Sequence, residues 1–95
     1  MTENKEKMVS VYAEANPNPE SMKFVMNVQM LPDGQSVDYP NVESALESPL
    51  AQELFNFDYV SRVFIASNFV TVTKTADLEW VKIIPELRTF LKSYV

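Results

Sequence analysis

The chain has 95 residues, 46% of them hydrophobic and 12% aromatic, enough to build one domain around its own core without a metal or disulfide staple. A formal net charge of −5, with no local cluster of Lys or Arg, argues against a phosphate backbone or an anionic membrane as partner. With no cysteine, no histidine and one glycine, thiolate ligation, imidazole metal sites or bases, and glycine-rich phosphate loops are excluded from these residues.

Residues 1–7 (MTENKEK) are polar and charged, lacking both the apolar core of a secretory signal and the Arg-rich, acid-poor character of a mitochondrial leader. They are expected to form a flexible terminus, with residues 8–95 as a single domain. No apolar run approaches bilayer-spanning length, and the default expectation is a cytoplasmic, bacterial protein.

Val9, Val11 and Ala13 alternate with Ser10, Tyr12 and Glu14, as in a strand with one apolar face. The strand ends at Asn16-Pro17-Asn18-Pro19, where each proline removes a ladder donor and restrains its predecessor. A cleaner alternation follows: Met22, Phe24, Met26, Val28 and Met30 share one side, which predicts a long second strand. Pro32-Asp33-Gly34 is a turn signature, and Ser36 to Tyr39 leave room for a further short extended segment.

Asn41 can cap a helical turn through Val42, Ala45 and Leu46, and Ser48-Pro49 reads as an N-cap followed by proline at the first helical position. One broken helix or two short ones are expected over about residues 42 to 56. Tyr59 to Ala66 and Phe69 to Lys74 are rich in β-branched and aromatic residues and read as an antiparallel pair across Ser67-Asn68. Thr75 or Asp77 can start a last helix with Trp80, Ile84, Leu87, Leu91 and Tyr94 in one stripe, kinked or restarted at Pro85. The order β-β-α-β-β-α predicts a two-layer α+β fold, with an antiparallel sheet of about four strands and helices on one face.

Each chemical constellation has a plainer reading. Met22, Met26 and Met30 carry soft sulfurs, but four strand residues span roughly 13 Å, so they read as core rather than as a copper site. The carboxylates show no calcium-loop pattern and sit mostly in turns and first helical turns. Lys23 and Lys74 fall at polar strand positions where exposure is the ordinary outcome, and Lys82 with Glu86 is spaced as an i,i+4 pair. Trp80 and Tyr94 are the candidates for an exposed aromatic. No catalytic residue, metal ligand or cofactor is therefore assigned, and no enzyme activity is expected.

Asn16-Pro17-Asn18-Pro19-Glu20-Ser21-Met22-Lys23-Phe24 resembles the opening motif of the N-terminal domain of Nfu/NifU-type iron–sulfur scaffold proteins. Ser48-Pro49-Leu50-Ala51, Leu54-Phe55, Val60, Val63-Phe64 and Phe69 to Thr75 resemble its second block, and Trp80 with Ile84-Pro85-Glu86 its third. One departure is Asp58-Tyr59, where the family commonly has a glycine before the third strand. The resemblance implies an accessory, protein-interacting role in cluster assembly or delivery. The family's cluster-bearing Cys-x-x-Cys motif lies in a separate C-terminal domain, so this chain is expected to act alone and without ligating a cluster by cysteine.

The expected contact is the proline-stiffened loop and strand edge from Asn16 to Lys23, with Asn16, Asn18, Glu20 and Lys23 as partner-binding residues. The expected partner is a protein of the iron–sulfur machinery, with no nucleic acid or membrane, and the chain a monomer or weak homo-oligomer. The alternative is a small-ligand or iron-binding protein using oxygen ligands.

Overall fold

The alternating segments pair into one five-stranded antiparallel sheet with spatial order β1-β2-β5-β4-β3. The computed structural model describes residues 9–75 and 77–94; the expected tail at residues 1–7 lies outside them. The strands are β1 (Val11–Ala15), β2 (Ser21–Met26), β3 (Val37–Tyr39), β4 (Val60–Ile65) and β5 (Phe69–Lys74). A 3₁₀ turn at Val42–Ala45 and helix α1 (Pro49–Phe55) link β3 to β4, and α2 (Trp80–Tyr94) ends the chain. The α+β class holds, with five strands rather than about four because the short segment before Pro40 pairs as an edge.

Two rows of apolar side chains cross the sheet: Ala13, Phe24, Val70, Ile65 and Val37, then Ala15, Met22, Val72, Val63 and Tyr39. Phe24, Val63, Val70 and Val72 in these rows are fully buried with Leu54 of α1 and Leu87 and Leu91 of α2 in one core. A bulge between Val60 and Arg62 inserts Ser61, which lets Val60 and Val63 both face that core. Both helices thus cover the same face.

The caps follow the local sequence. Asn41 Oδ1 accepts from the Ser44 amide at 2.9 Å and Ser48 Oγ from the Ala51 amide at 3.2 Å, with Pro49 at the start of α1. Gly34 takes φ +82°, the left-handed conformation its turn requires. The bend at Asp58-Tyr59 is made without glycine, and no non-glycine residue among those described has positive φ; the amide of Val60 closes it on Phe57 O at 3.0 Å.

Three expectations need correction. The second strand stops at Met26 rather than Met30: the Met26 amide still makes an in-register bond to Asn68 O at 2.9 Å, but Ser67 O then takes the Met30 amide, out of register, at 2.6 Å. Val28 and Met30 leave the ladder there but still pack on the core. The last helix begins at Trp80, not at Thr75 or Asp77, and its buried stripe is Ile83, Leu87 and Leu91, with Ile84 only half-buried. It continues through Pro85 without restarting there. The carbonyl that proline leaves without its helical donor is that of Val81, which is 70% exposed, so water can satisfy it.

Candidate functional site

The Asn16 to Glu20 loop is held by its own side chains. Asn16 Oδ1 accepts from the Asn18 amide at 3.1 Å and Asn18 Oδ1 from the Glu20 amide at 3.0 Å, two successive Asx turns. The Asn18 carbonyl then accepts from the Ser21 amide at 3.0 Å, and the Glu20 carbonyl from the Lys74 amide at 2.9 Å. With Pro17 and Pro19 fixing φ, the loop is set before any partner arrives.

This loop borders the sheet face that the helices leave open. Three rows of side chains cross that face: Tyr12, Val25 and Phe69; then Glu14, Lys23, Thr71, Phe64 and Asp38; then Ser21, Thr73 and Arg62. Lys23 Nζ lies 4.3 Å from the Phe69 ring centre and 3.8 Å from Glu14 Oε1, while Phe64 and Phe69 stand 6.1 Å apart. Ser21 Oγ and Thr73 Oγ1 share a hydrogen bond of 2.8 Å. Arg62 grips Asp38 with a two-pronged contact, Nε to Oδ1 at 3.0 Å and Nη2 to Oδ2. That hydrogen bonding holds the Asp38 carboxyl below its usual value and raises the Arg62 guanidinium. Asn16, Asn18, Ser21, Thr73, Arg62 and Phe64 together line a groove where loop meets sheet.

The expected contact residues fare differently. Asn16 and Asn18 form one wall of the groove, and Lys23 lies on the same face, one row along from Ser21. Glu20 is exposed and contributes backbone bonds to the loop. No strand edge is free there: β2 lies between β1 and β5, so the contact would be made through a face. Sequence reading did not assign Asp38, Arg62, Phe64, Thr71 or Thr73 to the contact. Their signal was the alternation itself, which places Phe64 and Phe69 on the side opposite to Val63, Ile65, Val70 and Val72.

Other side chains also depart from their expected settings. Lys74 is buried, 8% exposed, with Nζ 5.6 Å from the Trp80 ring centre, because its register puts it on the core face after Val70 and Val72. Trp80 is half-buried, edge-on to Phe24 at 6.4 Å, whereas Tyr94 is 41% exposed and Tyr12 53%. Glu86 accepts from the Tyr59 hydroxyl at 2.7 Å, and no Lys82–Glu86 ion pair forms among the described residues. Nor does any group of three or more His, Cys, Asp or Glu among them come together to hold a metal ion.

A five-stranded antiparallel sheet with both helices on one face and an Asn-Pro loop at the rim of the other is a small two-layer α+β domain. Residues 11–95 match the family described as "Scaffold protein Nfu/NifU N terminal", and the chain belongs to that family. "NifU-like protein 4, mitochondrial" of Arabidopsis thaliana is 44% identical over 77 residues, which are 81% of this chain and 27% of that protein. "NFU1 iron-sulfur cluster scaffold homolog, mitochondrial" of Drosophila willistoni is 42% identical over the same extent and share. The chain therefore spans about a quarter of the length of these relatives. The crystal structure of protein SAV1430 from Staphylococcus aureus superposes with a TM-score of 0.66 at 18% identity, covering 84% of this chain and 95% of that one; it shows the shared fold. The expected cytoplasmic location is corrected, since the curated relatives carry mitochondrial names and point to that compartment instead.

Proposed function

We propose that this chain is a non-catalytic interaction module of iron–sulfur cluster assembly or delivery that receives a protein partner on the open sheet face beside the Asn16 to Lys23 loop. The observation that carries the reading is the uncovered face itself: Phe64, Phe69 and Val25 sit there only half-buried, framed by Lys23, Arg62 and Asp38 and by a loop already fixed in shape. Aromatic groups ringed by charges of both signs suit a protein surface, and a preorganised loop lowers the ordering cost of binding. The scaffold names of the relatives supply the pathway. Residues 8–95 act as one domain, monomeric or weakly self-associating, with Asn16, Asn18, Glu20 and Lys23 contributing to the contact. Having no cysteine in its 95 residues, the chain helps deliver a cluster held by thiolates elsewhere.

The test is affinity capture from an extract of the source organism, comparing wild type with Asn18→Ala/Lys23→Glu and with Phe64→Ser. Equal thermal midpoints check that the variants fold. Wild type should retain identified iron–sulfur assembly proteins, and both variants should lose most of that occupancy. The same proteins at equal occupancy on both variants would place the interface elsewhere.

A further inference from the structure

On the helix side of the sheet, away from the open face, lies a partly enclosed cavity of about 310 Å³. Its walls come from five separate pieces of chain: the loop at Met30 and Leu31, Tyr39 of β3, Ile65 of β4, Leu50 at the start of α1, and Tyr94 near the end of α2. Its volume is at the small end of the ~300–1,000 Å³ typical of ligand pockets, and an apolar lining with few polar groups is the usual composition. No charged side chain lines it.

Tyr39 supplies the polar handle. The residue is only 6% exposed, yet its hydroxyl makes no hydrogen bond to any described residue. No enclosed side-chain nitrogen or oxygen among the described residues lacks a partner, so this hydroxyl is not sealed from its surroundings, and Tyr39 is one of the residues that line the cavity. Two other polar groups at the rim are engaged. Gln29 Nε2 donates to Leu31 O at 2.9 Å and to Asp33 Oδ1 at 3.3 Å, and Ser48 Oγ caps α1.

We infer that this cavity binds a small, neutral, largely apolar molecule bearing one carbonyl-type oxygen, which accepts a hydrogen bond from the Tyr39 hydroxyl. Neutrality follows from the uncharged lining, where a desolvated carboxylate or ammonium would find no counter-charge. An acceptor is favoured because the Tyr39 hydroxyl has no protein partner among the described residues, so a ligand oxygen can take its hydrogen in place of water. Tyr39 and Tyr94 flank the space with rings, so a single aromatic ring suits it.

The experiment titrates the full ¹⁵N-labelled chain with acetophenone, with ethylbenzene, which lacks the oxygen, and with benzoate, which is charged. Acetophenone should give saturable amide shifts confined to residues around the cavity, among them Met30, Leu31, Tyr39 and Ile65. Ethylbenzene should bind roughly threefold to tenfold more weakly, the worth of one neutral hydrogen bond, and benzoate should not saturate. Tyr39→Phe should reduce acetophenone to the affinity of ethylbenzene. Leu31→Trp, on a half-buried loop position, should fill the space and abolish binding of both, which gives a reading even if Tyr39→Phe fails to fold. Shifts that fail to saturate or scatter over the surface, benzoate binding as well as acetophenone, acetophenone preference persisting in Tyr39→Phe, or undiminished binding in Leu31→Trp would each overturn the inference.

Discussion

The indole N–H of Trp80 donates a hydrogen bond of 3.0 Å to the carbonyl of Pro19, tying the first residue of α2 to the Asn-Pro loop. Without that bond the loop would be braced only by its own Asx turns and by the Glu20–Lys74 and Asn18–Ser21 backbone contacts. Trp80→Phe keeps a ring near Phe24 but removes the donor. The variant should lose about 1–2 kcal/mol in urea unfolding. Amide exchange should speed up at Glu20 and Ser21 while Val70 and Val72 stay protected; unchanged exchange in the loop would show that Trp80 does not brace it.

Phe24 is completely buried in the middle of the sheet, opposite Ala13 on one side and Val70 on the other. Its replacement by alanine should cost about 3–5 kcal/mol, a large share of the stability of a domain this small. Val25→Ala, one residue along on the open face, should cost less than about 1 kcal/mol. Urea or thermal unfolding of both variants measures the contrast, and similar losses would mean that the core lies on the wrong side of β2.

Folding should also be indifferent to metal. A structural ion would raise the melting midpoint in proportion to the logarithm of its concentration and its removal would lower it. Thermal unfolding with and without EDTA should give superimposable curves; a drop with the chelator would reveal a bound ion that supports the fold.

Tyr59 sets an alkaline limit. Burial, then its hydrogen bond to Glu86, pushes the phenol above the ordinary range. At pH above about 10 the unfolded chain releases this proton while the folded chain keeps it, so the unfolded state binds fewer protons and stability falls as pH rises. Tyr59→Phe should lose about 1 kcal/mol near neutral pH and decline less steeply than wild type at alkaline pH. The difference between the two unfolding curves isolates Tyr59 from the other tyrosines, and parallel declines would argue against its role.

Asp38 behaves in the opposite sense. Arg62 lowers its pKa from the ordinary 3.8, so the stabilisation it brings is present at neutral pH and fades as pH falls through the acid range. Arg62→Ala should move the Asp38 carboxyl back up toward 3.8, followed by NMR titration of its side-chain carbon. An unmoved titration would show that the two-pronged contact does not persist in solution.

Most of the architecture was legible because period-two alternation and cap chemistry act locally: Asn41, Ser48-Pro49 and Gly34 each do what their residue type favours. The misreadings arise where distant backbone intervenes. Val28 and Met30 keep the strand-like pattern, yet the carbonyl of Ser67 takes the Met30 amide out of the β2–β5 register. Ile83 rather than Ile84 faces inward because docking on the sheet, rather than the sequence stripe, sets the rotation of α2. Lys74 looked like an exposed lysine, and only its register with Val60 reveals that it lies over Trp80. At the candidate site, Asn16, Asn18 and Lys23 could be read from a contiguous motif, whereas Asp38, Arg62 and Phe64 join them only through cross-strand pairing that no local pattern displays.

The central seam of the sheet joins Ser21 to Thr73 and Phe24 to Val70, bringing together two chain segments that are far apart in sequence. On either side of it, β1–β2 and β4–β5 are local hairpins. Local pairs close at a smaller entropic cost than distant ones, so the expected order of assembly is two hairpins first and the seam between them last. The turn closed by the Gln35 amide on Pro32 O at 3.0 Å falls between those halves. A chain cut there would leave one fragment with β1 and β2 and another with β3 to α2. Neither fragment would own a complete core, because Phe24 resides in the first and Val70, Leu87 and Trp80 in the second; the topology thus makes the two halves complementary parts of a single assembly reaction.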